Sequence, residues 1–176
     1  MPRSPLVGAP DLSECLGRPT HLKLECLLPT GSFKVRGAAN AMLCLAPQQR
    51  SAGVVTCSSG NHGRAVAYVA ERLGIRATVC VPEWVDPVKL AAIRGHGAET
   101  VLAGATYDEA EAFALARAGE SGAHFLPPFD DPDVVAGQST VALEILDALP
   151  SVGEIVTPLS GGGLAGGIGL AVADRA

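Results

Sequence analysis

The sequence predicts an α/β protein built on a largely parallel sheet, and three observations lead there. Short runs rich in Val and Ile recur at 53–57, 76–81, 99–103 and 154–157, each followed by a turn and an amphipathic stretch. That alternation is what βαβ units produce. Gly (21) and Pro (13) are scattered between these runs as punctuation and are not pooled in a linker. A make-up of 48% hydrophobic and 18% charged residues over 176 positions is that of a globular chain.

Taken in order, 20–27 alternates polar His21, Lys23 and Glu25 with apolar Leu22, Leu24 and Cys26, the period of a half-buried strand. Pro29 to Gly31 read as a turn. Ser32 offers an N-cap hydroxyl for a helix reaching about Leu45 and closed by Pro47. Val66, Ala67, Ala70 and Leu73 mark one face of a helix that Gly74 terminates. Thr106 and Glu109 form a capping-box pattern ahead of Ala110, Phe113 and Ala114. Asp131 or Asp133 caps a helix carrying Val134, Val141, Leu143, Ile145 and Leu149.

The net charge of -5 argues against a nucleic-acid-binding surface, which needs clustered positive charge. No apolar run approaches the roughly 18 residues of a membrane span, and the start lacks the apolar core of a signal peptide. A cytoplasmic protein without a membrane partner is the expectation. The five cysteines (Cys15, Cys26, Cys44, Cys57, Cys80) include no C-x-x-C pair, so neither a disulfide framework nor a metal site is predicted. Cys57 and Cys80 sit in apolar runs, where a thiol serves as a small buried hydrophobe.

Three strand-to-helix loops carry unusual residues, and ligands of parallel sheets bind outside the carboxyl ends of strands. In the first, Lys34 is one of only three lysines and is predicted one turn inside a helix, between Phe33 and Val35. An apolar pocket and a helix's positive end both favour the neutral amine, a nucleophile for carbonyls. On this segment alone a solvated lysine is the commoner outcome. In the second, Ser58, Ser59, Gly60, Asn61 and His62 join a strand to a helix through small residues, whose backbone N–H groups make a nest for a carboxylate or phosphate. An ordinary capped turn fits those residues equally well. The third, Ser160, Gly161, Gly162, Gly163 and Leu164, follows the apolar Ile155-Val156 and opens an apolar helix, a cup for phosphate. Gly161 to Gly166 also satisfies G-x-G-x-x-G. A nicotinamide site wants an acidic residue roughly 20 positions later, and Asp174 comes too early.

PTGSFKVRGA (29–38), SSGNHG (58–63) and SGGGLAGG (160–167), in this order, resemble the serine/threonine dehydratase and serine racemase group. These are pyridoxal-phosphate enzymes of the tryptophan-synthase-β-like fold (fold type II). The likeness runs from Ser4-Pro5-Leu6 to the end and includes KLEC at 23–26. It implies that Lys34 binds pyridoxal 5'-phosphate covalently and then shuttles the α-proton of a small amino-acid substrate. It implies further that Asn61 contacts the cofactor's 3-hydroxyl, and that Ser160, Gly161, Gly162, Gly163 and Leu164 hold its phosphate. Ser58, Ser59, Gly60, Asn61 and His62 would bind the substrate carboxylate. Phe33 would pack near the cofactor ring, with an ordinary core role the alternative. Ser59 matches the acid/base serine of the racemase branch. His62 would be structural rather than a general base.

The reaction implied is loss of the α-proton and β-hydroxyl of threonine, serine or a related hydroxy amino acid, giving a 2-oxo acid and ammonia. Racemisation, β-replacement, or a non-catalytic or partner-dependent fragment are the alternatives. In the family fold, 46–126 would form a complete small domain. Segments 1–45 and 127–176 would belong to a large domain left incomplete, since family members are much longer. Family members also associate, so a homo-oligomer is expected.

Overall fold

The computed structural model describes residues 2–175. A two-stranded antiparallel sheet pairs β1 (Leu6–Gly8) with β2 (His21–Lys23), and α1 (Pro10–Leu16) lies between them in sequence. Helices α2 (Lys34–Cys44) and α3 (Pro47–Ala52) lead into a four-stranded parallel sheet. Its strands are β3 (Val54–Cys57), β4 (Ala77–Val81), β5 (Glu99–Leu102) and β6 (His124–Phe125), in spatial order β5-β4-β3-β6. The helices between them are α4 (Asn61–Leu73), α5 (Pro87–Arg94) and α6 (Tyr107–Ser121). Two long helices, α7 (Pro132–Ala148) and α8 (Gly163–Arg175), complete the chain.

The sheet is covered on both faces, as parallel sheets are. All four residues of β3 are buried. Val54 joins Val79 and Val81 against Val66, Ala67 and Ala70 of α4 and Ile93 of α5. Val55, Cys57 and Cys80 face the other way, onto Ala110, Ala114 and Ala118 of α6. Alanines at every fourth position let α6 lie close to the sheet, and Phe113, off that stripe, is exposed. Burial pushes the Cys57 thiol up to about 12 and that of Cys80 to about 11. Both are therefore inert packing groups, as the apolar runs around them predict.

Local signals set several element ends as expected. Gly74 closes α4 in the left-handed conformation (φ 65°), and Asp131, not Asp133, accepts from the Val134 N–H to start α7. Thr106 caps α6 by accepting from the Glu109 N–H at 3.2 Å. The Glu109 carboxylate takes the N–H of Ala105 instead of that of Thr106.

Other expectations are corrected. The strand predicted over 20–27 pairs only through His21–Lys23, because β1 supplies three partners; two 3-10 turns, Glu25–Leu27 and Pro29–Gly31, follow. Ser32 does not cap α2: the N-cap is Phe33, already helical, and the buried Ser32 hydroxyl has no partner. Lys34 is consequently the first residue of α2 and not one turn inside it. Pro47 does not merely close a helix but opens α3, at a position where its missing N–H costs nothing. Residues 154–157 form no strand. Val156 is 83% exposed, and a β-prone run without a neighbouring ladder has nothing to pair with.

The long helices approach through glycine. A Cβ on Gly137 of α7 would lie 2.5 Å from the Arg36 carbonyl oxygen and 2.6 Å from the Gly37 Cα of α2. A Cβ on Gly167 of α8 would lie 2.6 Å from the Val135 carbonyl oxygen of α7. Both obstacles are backbone, which cannot swing aside. Gly137→Ala is therefore expected to lower stability by about 2–3 kcal/mol, read as a lower urea midpoint with an unchanged slope.

Candidate active site

The loops after β3, β4, β5 and β6 all leave the same end of the parallel sheet, the carboxyl ends of its strands. Lys34 stands nearby at the start of α2. It is delivered by a tight reversal in which Thr30 (φ 72°) and Gly31 (φ 71°) are both left-handed. Such a φ is a true outlier for a β-branched residue, so the packing around the buried Thr30 holds it there. The Lys34 amine is half-buried, its Nζ donating to the Pro128 carbonyl at 2.5 Å and lying 5.4 Å from the centre of the Phe33 ring. Burial lowers its pKa, moving it towards a nucleophilic free amine.

The second loop folds onto the first turn of α4. Ser58 Oγ accepts from the Gly60 N–H at 3.3 Å, and a side chain on Gly63 would run into the Ser58 carbonyl, so this turn requires glycine. Ser58, Ser59 and Gly60 are partly buried and Asn61 is exposed. No side chain caps α4, which leaves the N–H groups of its first turn directed outward. His62 points inward instead and is 2% exposed. Its Nε2 lies 3.2 Å from the Leu126 carbonyl oxygen, and its Nδ1 has no partner. Burial drives its pKa down to about 4 against the pull of that carbonyl, and the Lys34 charge adds to the lowering. A neutral imidazole near pH 7 follows, in keeping with a structural place.

The third loop has Gly162 left-handed (φ 86°) and opens α8. Ser160, Gly161 and Gly162 are exposed, Gly163 is buried and Leu164 is partly buried against the α7–α8 core. A side chain on Gly161 would strike the Phe129 ring, and one on Gly163 would sit 3.0 Å from the Phe129 carbonyl oxygen.

What joins these loops is a segment the sequence reading passed over. Leu126 meets His62, Pro128 meets Lys34, and Phe129 packs on the glycine loop. The one available signal was Pro127-Pro128 directly after a short apolar strand, a chain forced to leave its sheet.

A charged cluster just below Lys34 was missed as well. Arg36, only 2% exposed at its side chain, binds Glu25 through Nε–Oε2 (2.7 Å) and Nη2–Oε1 (2.9 Å). It binds Glu144 of α7 through Nη1–Oε1 (2.7 Å) and Nη2–Oε2 (2.9 Å). Lys23 Nζ adds a contact to Glu144 Oε2 at 2.6 Å, and Ser4 Oγ donates to Glu25 Oε1 at 2.5 Å. Lys23 and Glu25 of KLEC are thus bound to α2 and α7 through this cluster.

Burial opposes ionisation of Glu144, but the hydrogen bonds from Arg36 and Lys23 prevail and bring its pKa to about 2. A carboxylate depressed in the folded state stabilises the fold above its unfolded value of 4.5, and that contribution disappears as the pH falls towards 2. Acid titration of the urea midpoint should therefore show a loss of about 2–3 kcal/mol over this window, absent in Glu144→Gln.

The family model described as pyridoxal-phosphate dependent enzyme matches residues 2–176. The chain belongs to that family. Among curated relatives, the L-threonine ammonia-lyase of Geobacter sulfurreducens is 46% identical over 172 residues, covering 98% of this chain and 43% of the relative. Processed threonine deaminase isoform 2 of Solanum lycopersicum superposes with a TM-score of 0.95 at 38% identity, over 98% of this chain and 48% of that one. Maize serine racemase gives 0.95 at 34% identity, over 98% and 53%. The chain spans about half the length of the curated relatives it matches. The fold type II expectation holds, and the shared part contains all three loops. The residues present suit the family's cofactor: a half-buried primary amine, an uncapped helix N-terminus at α4 and a glycine loop at α8. Among the described residues no group of three His, Cys, Asp or Glu side chains is placed to hold a metal, and no helix is long and apolar enough to cross a membrane.

Proposed function

We propose that the chain carries the lysine and phosphate loops of a pyridoxal-phosphate-dependent ammonia-lyase that converts L-threonine, L-serine or a related hydroxy amino acid to a 2-oxo acid and ammonia. The observation carrying this reading is that Lys34 and the glycine loop meet on adjacent residues, Pro128 and Phe129. Pyridoxal phosphate, when bound, supplies an aldehyde for the amine and an electron sink for the substrate α-carbon. Lys34 would present the amine that holds the cofactor, and its Nζ is the group placed to take the α-proton of the substrate. Ser160, Gly161, Gly162, Gly163 and Leu164 offer backbone N–H groups at the start of α8 to the phosphate. Asn61 would offer its amide to the 3-hydroxyl, and Phe33 would flank the cofactor ring. Ser58, Ser59, Gly60 and Asn61, with His62 through its backbone N–H alone because its ring points inward, would orient the substrate carboxylate, the first turn of α4 lending its positive end.

In this reading 46–126 is the smaller domain, while 1–45 and 127–176 belong to the larger one. Association between copies goes with it, resting on the family likeness. Titration of the purified chain with pyridoxal phosphate, followed by borohydride reduction and peptide mapping, tests the site. Label on Lys34 and oxo-acid formation from threonine or serine support it; label spread over Lys23 and Lys89, or none, rejects it. The likeness to serine racemase favours racemisation as a second reaction of the same site, with Ser59 as its opposite-face acid. Ser59→Ala would then lose D-serine formation while keeping oxo-acid formation.

A further inference from the structure

β6 runs parallel to β3, and the ladder reaches one residue beyond Phe125, where the Leu126 N–H donates to the Val55 carbonyl at 2.8 Å. The Leu126 carbonyl then takes two side-chain donors, the Thr56 hydroxyl at 2.7 Å and the His62 ring at 3.2 Å. Pro127 and Pro128 have no N–H with which to continue a ladder, so the chain peels away from the sheet. The carbonyl of Pro128, two residues beyond Leu126, accepts from the Lys34 amine. The imidazole Nε2 faces an oxygen and so carries the proton, leaving the unpartnered Nδ1 as a lone pair.

We propose that His62 is a positioning residue: by gripping the Leu126 carbonyl together with Thr56, it aims the Pro128 carbonyl at Lys34 and sets where the amine rests. This deepens the role proposed for Lys34 and depends on it for its functional meaning. The arrangement stays fixed while Lys34 titrates, since His62 remains neutral throughout that range. His62 on α4 faces the Lys34 charge, which adds to the lowering of the imidazole pKa. Asp131 is engaged in capping α7, Glu144 is bound to Arg36 and Lys23, and Arg72 of α4 lies over the Tyr68 ring.

A carbonyl that accepts from the ammonium favours the protonated form, so freeing Lys34 from it must lower the amine's titration midpoint. Reductive methylation with formaldehyde and cyanoborohydride, followed across pH by peptide mapping, reads the free-amine fraction of each lysine. The chain has three lysines, and exposed Lys89 serves as the reference. His62→Leu removes the donor while staying apolar, and should drop the Lys34 midpoint by about one pH unit with Lys89 unmoved. His62→Gln, whose amide nitrogen reaches the place of Nε2, should keep the parent midpoint. Thr56→Val, removing the other donor on the same carbonyl, should shift it in the same direction as His62→Leu.

General loosening would do the opposite, exposing the amine and raising the midpoint. An unchanged or raised Lys34 midpoint in folded His62→Leu overturns the proposal. If His62→Leu does not fold, the same result in Thr56→Val overturns it. The assay contains no pyridoxal phosphate. A parent that fails to take the cofactor therefore rejects the proposed function alone, and an unmoved midpoint rejects the positioning role alone.

Discussion

Arg36→Ala is expected to cost about 3–5 kcal/mol, because it strands two carboxylates in a site built around one guanidinium. Glu25 and Glu144 keep only 15% and 13% of their side-chain surface, so water replaces little of what Arg36 supplies. Lys23 still meets Glu144 Oε2, but Glu25 loses both of its guanidinium contacts and keeps the Ser4 hydroxyl. Against a usual total of about 5–15 kcal/mol, that loss leaves the chain marginal or unfolded, visible as a collapse of the urea midpoint. Removing the charges together should be far milder. A double variant, Arg36→Met with Glu25→Gln, which leaves the Lys23–Glu144 pair balanced, is expected to recover most of the loss, since the penalty lies in the unpaired charge. Equal stability of the double variant and Arg36→Ala would show that the cluster acts through packing instead. Because Lys34 lies two residues before Arg36 on α2, the same variants should also loosen the amine's contact with Pro128.

Lys34→Ala is expected to abolish the visible band of cofactor-loaded protein and to reduce oxo-acid formation by roughly a thousand-fold or more, the scale of a lost proton-transferring group. The change deletes the amine without touching a buried ion pair. The urea midpoint should therefore stay near that of the parent, which separates this loss from that of Arg36→Ala. Added methylamine, supplying a free amine to the emptied site, should restore part of the turnover. A Lys34→Ala protein that keeps the band after dialysis, with parent-like turnover, would remove Lys34 from the chemistry.

The three loops were legible because their signals are local. A strand that ends in Cys57, small residues through Gly60 and a helix from Asn61 lie within a few positions, and consecutive glycines at 161–163 announce close backbone approach wherever they fall. The capping of α6 by Thr106 and of α7 by Asp131 was readable for the same reason, since a cap is satisfied within three residues. The run 154–157 misled because its composition is strand-like, while strand formation depends on a neighbour that a single segment does not contain. Ser32 misled because an N-cap hydroxyl is only a candidate, and here the chain turns helical one residue later, at Phe33.

What the sequence determined by itself is the alternation of strand and helix, the buried character of β3, and the placing of Lys34, of 58–62 and of 160–164 at the starts of helices. Those follow from hydrophobic period, turn chemistry and residue type, all short-range properties. Only the tertiary structure decided what holds the lysine. Pro128 lies 94 residues from Lys34 and Glu144 lies 108 from Arg36, and no periodicity links positions so far apart. Such contacts exist because the sheet order β5-β4-β3-β6 places the end of β6 beside β3, and because glycines at 37, 137 and 167 let α2, α7 and α8 close on one another. Where a buried charge or a free carbonyl finds its partner is set by that packing, which acts between segments that the order of residues keeps apart.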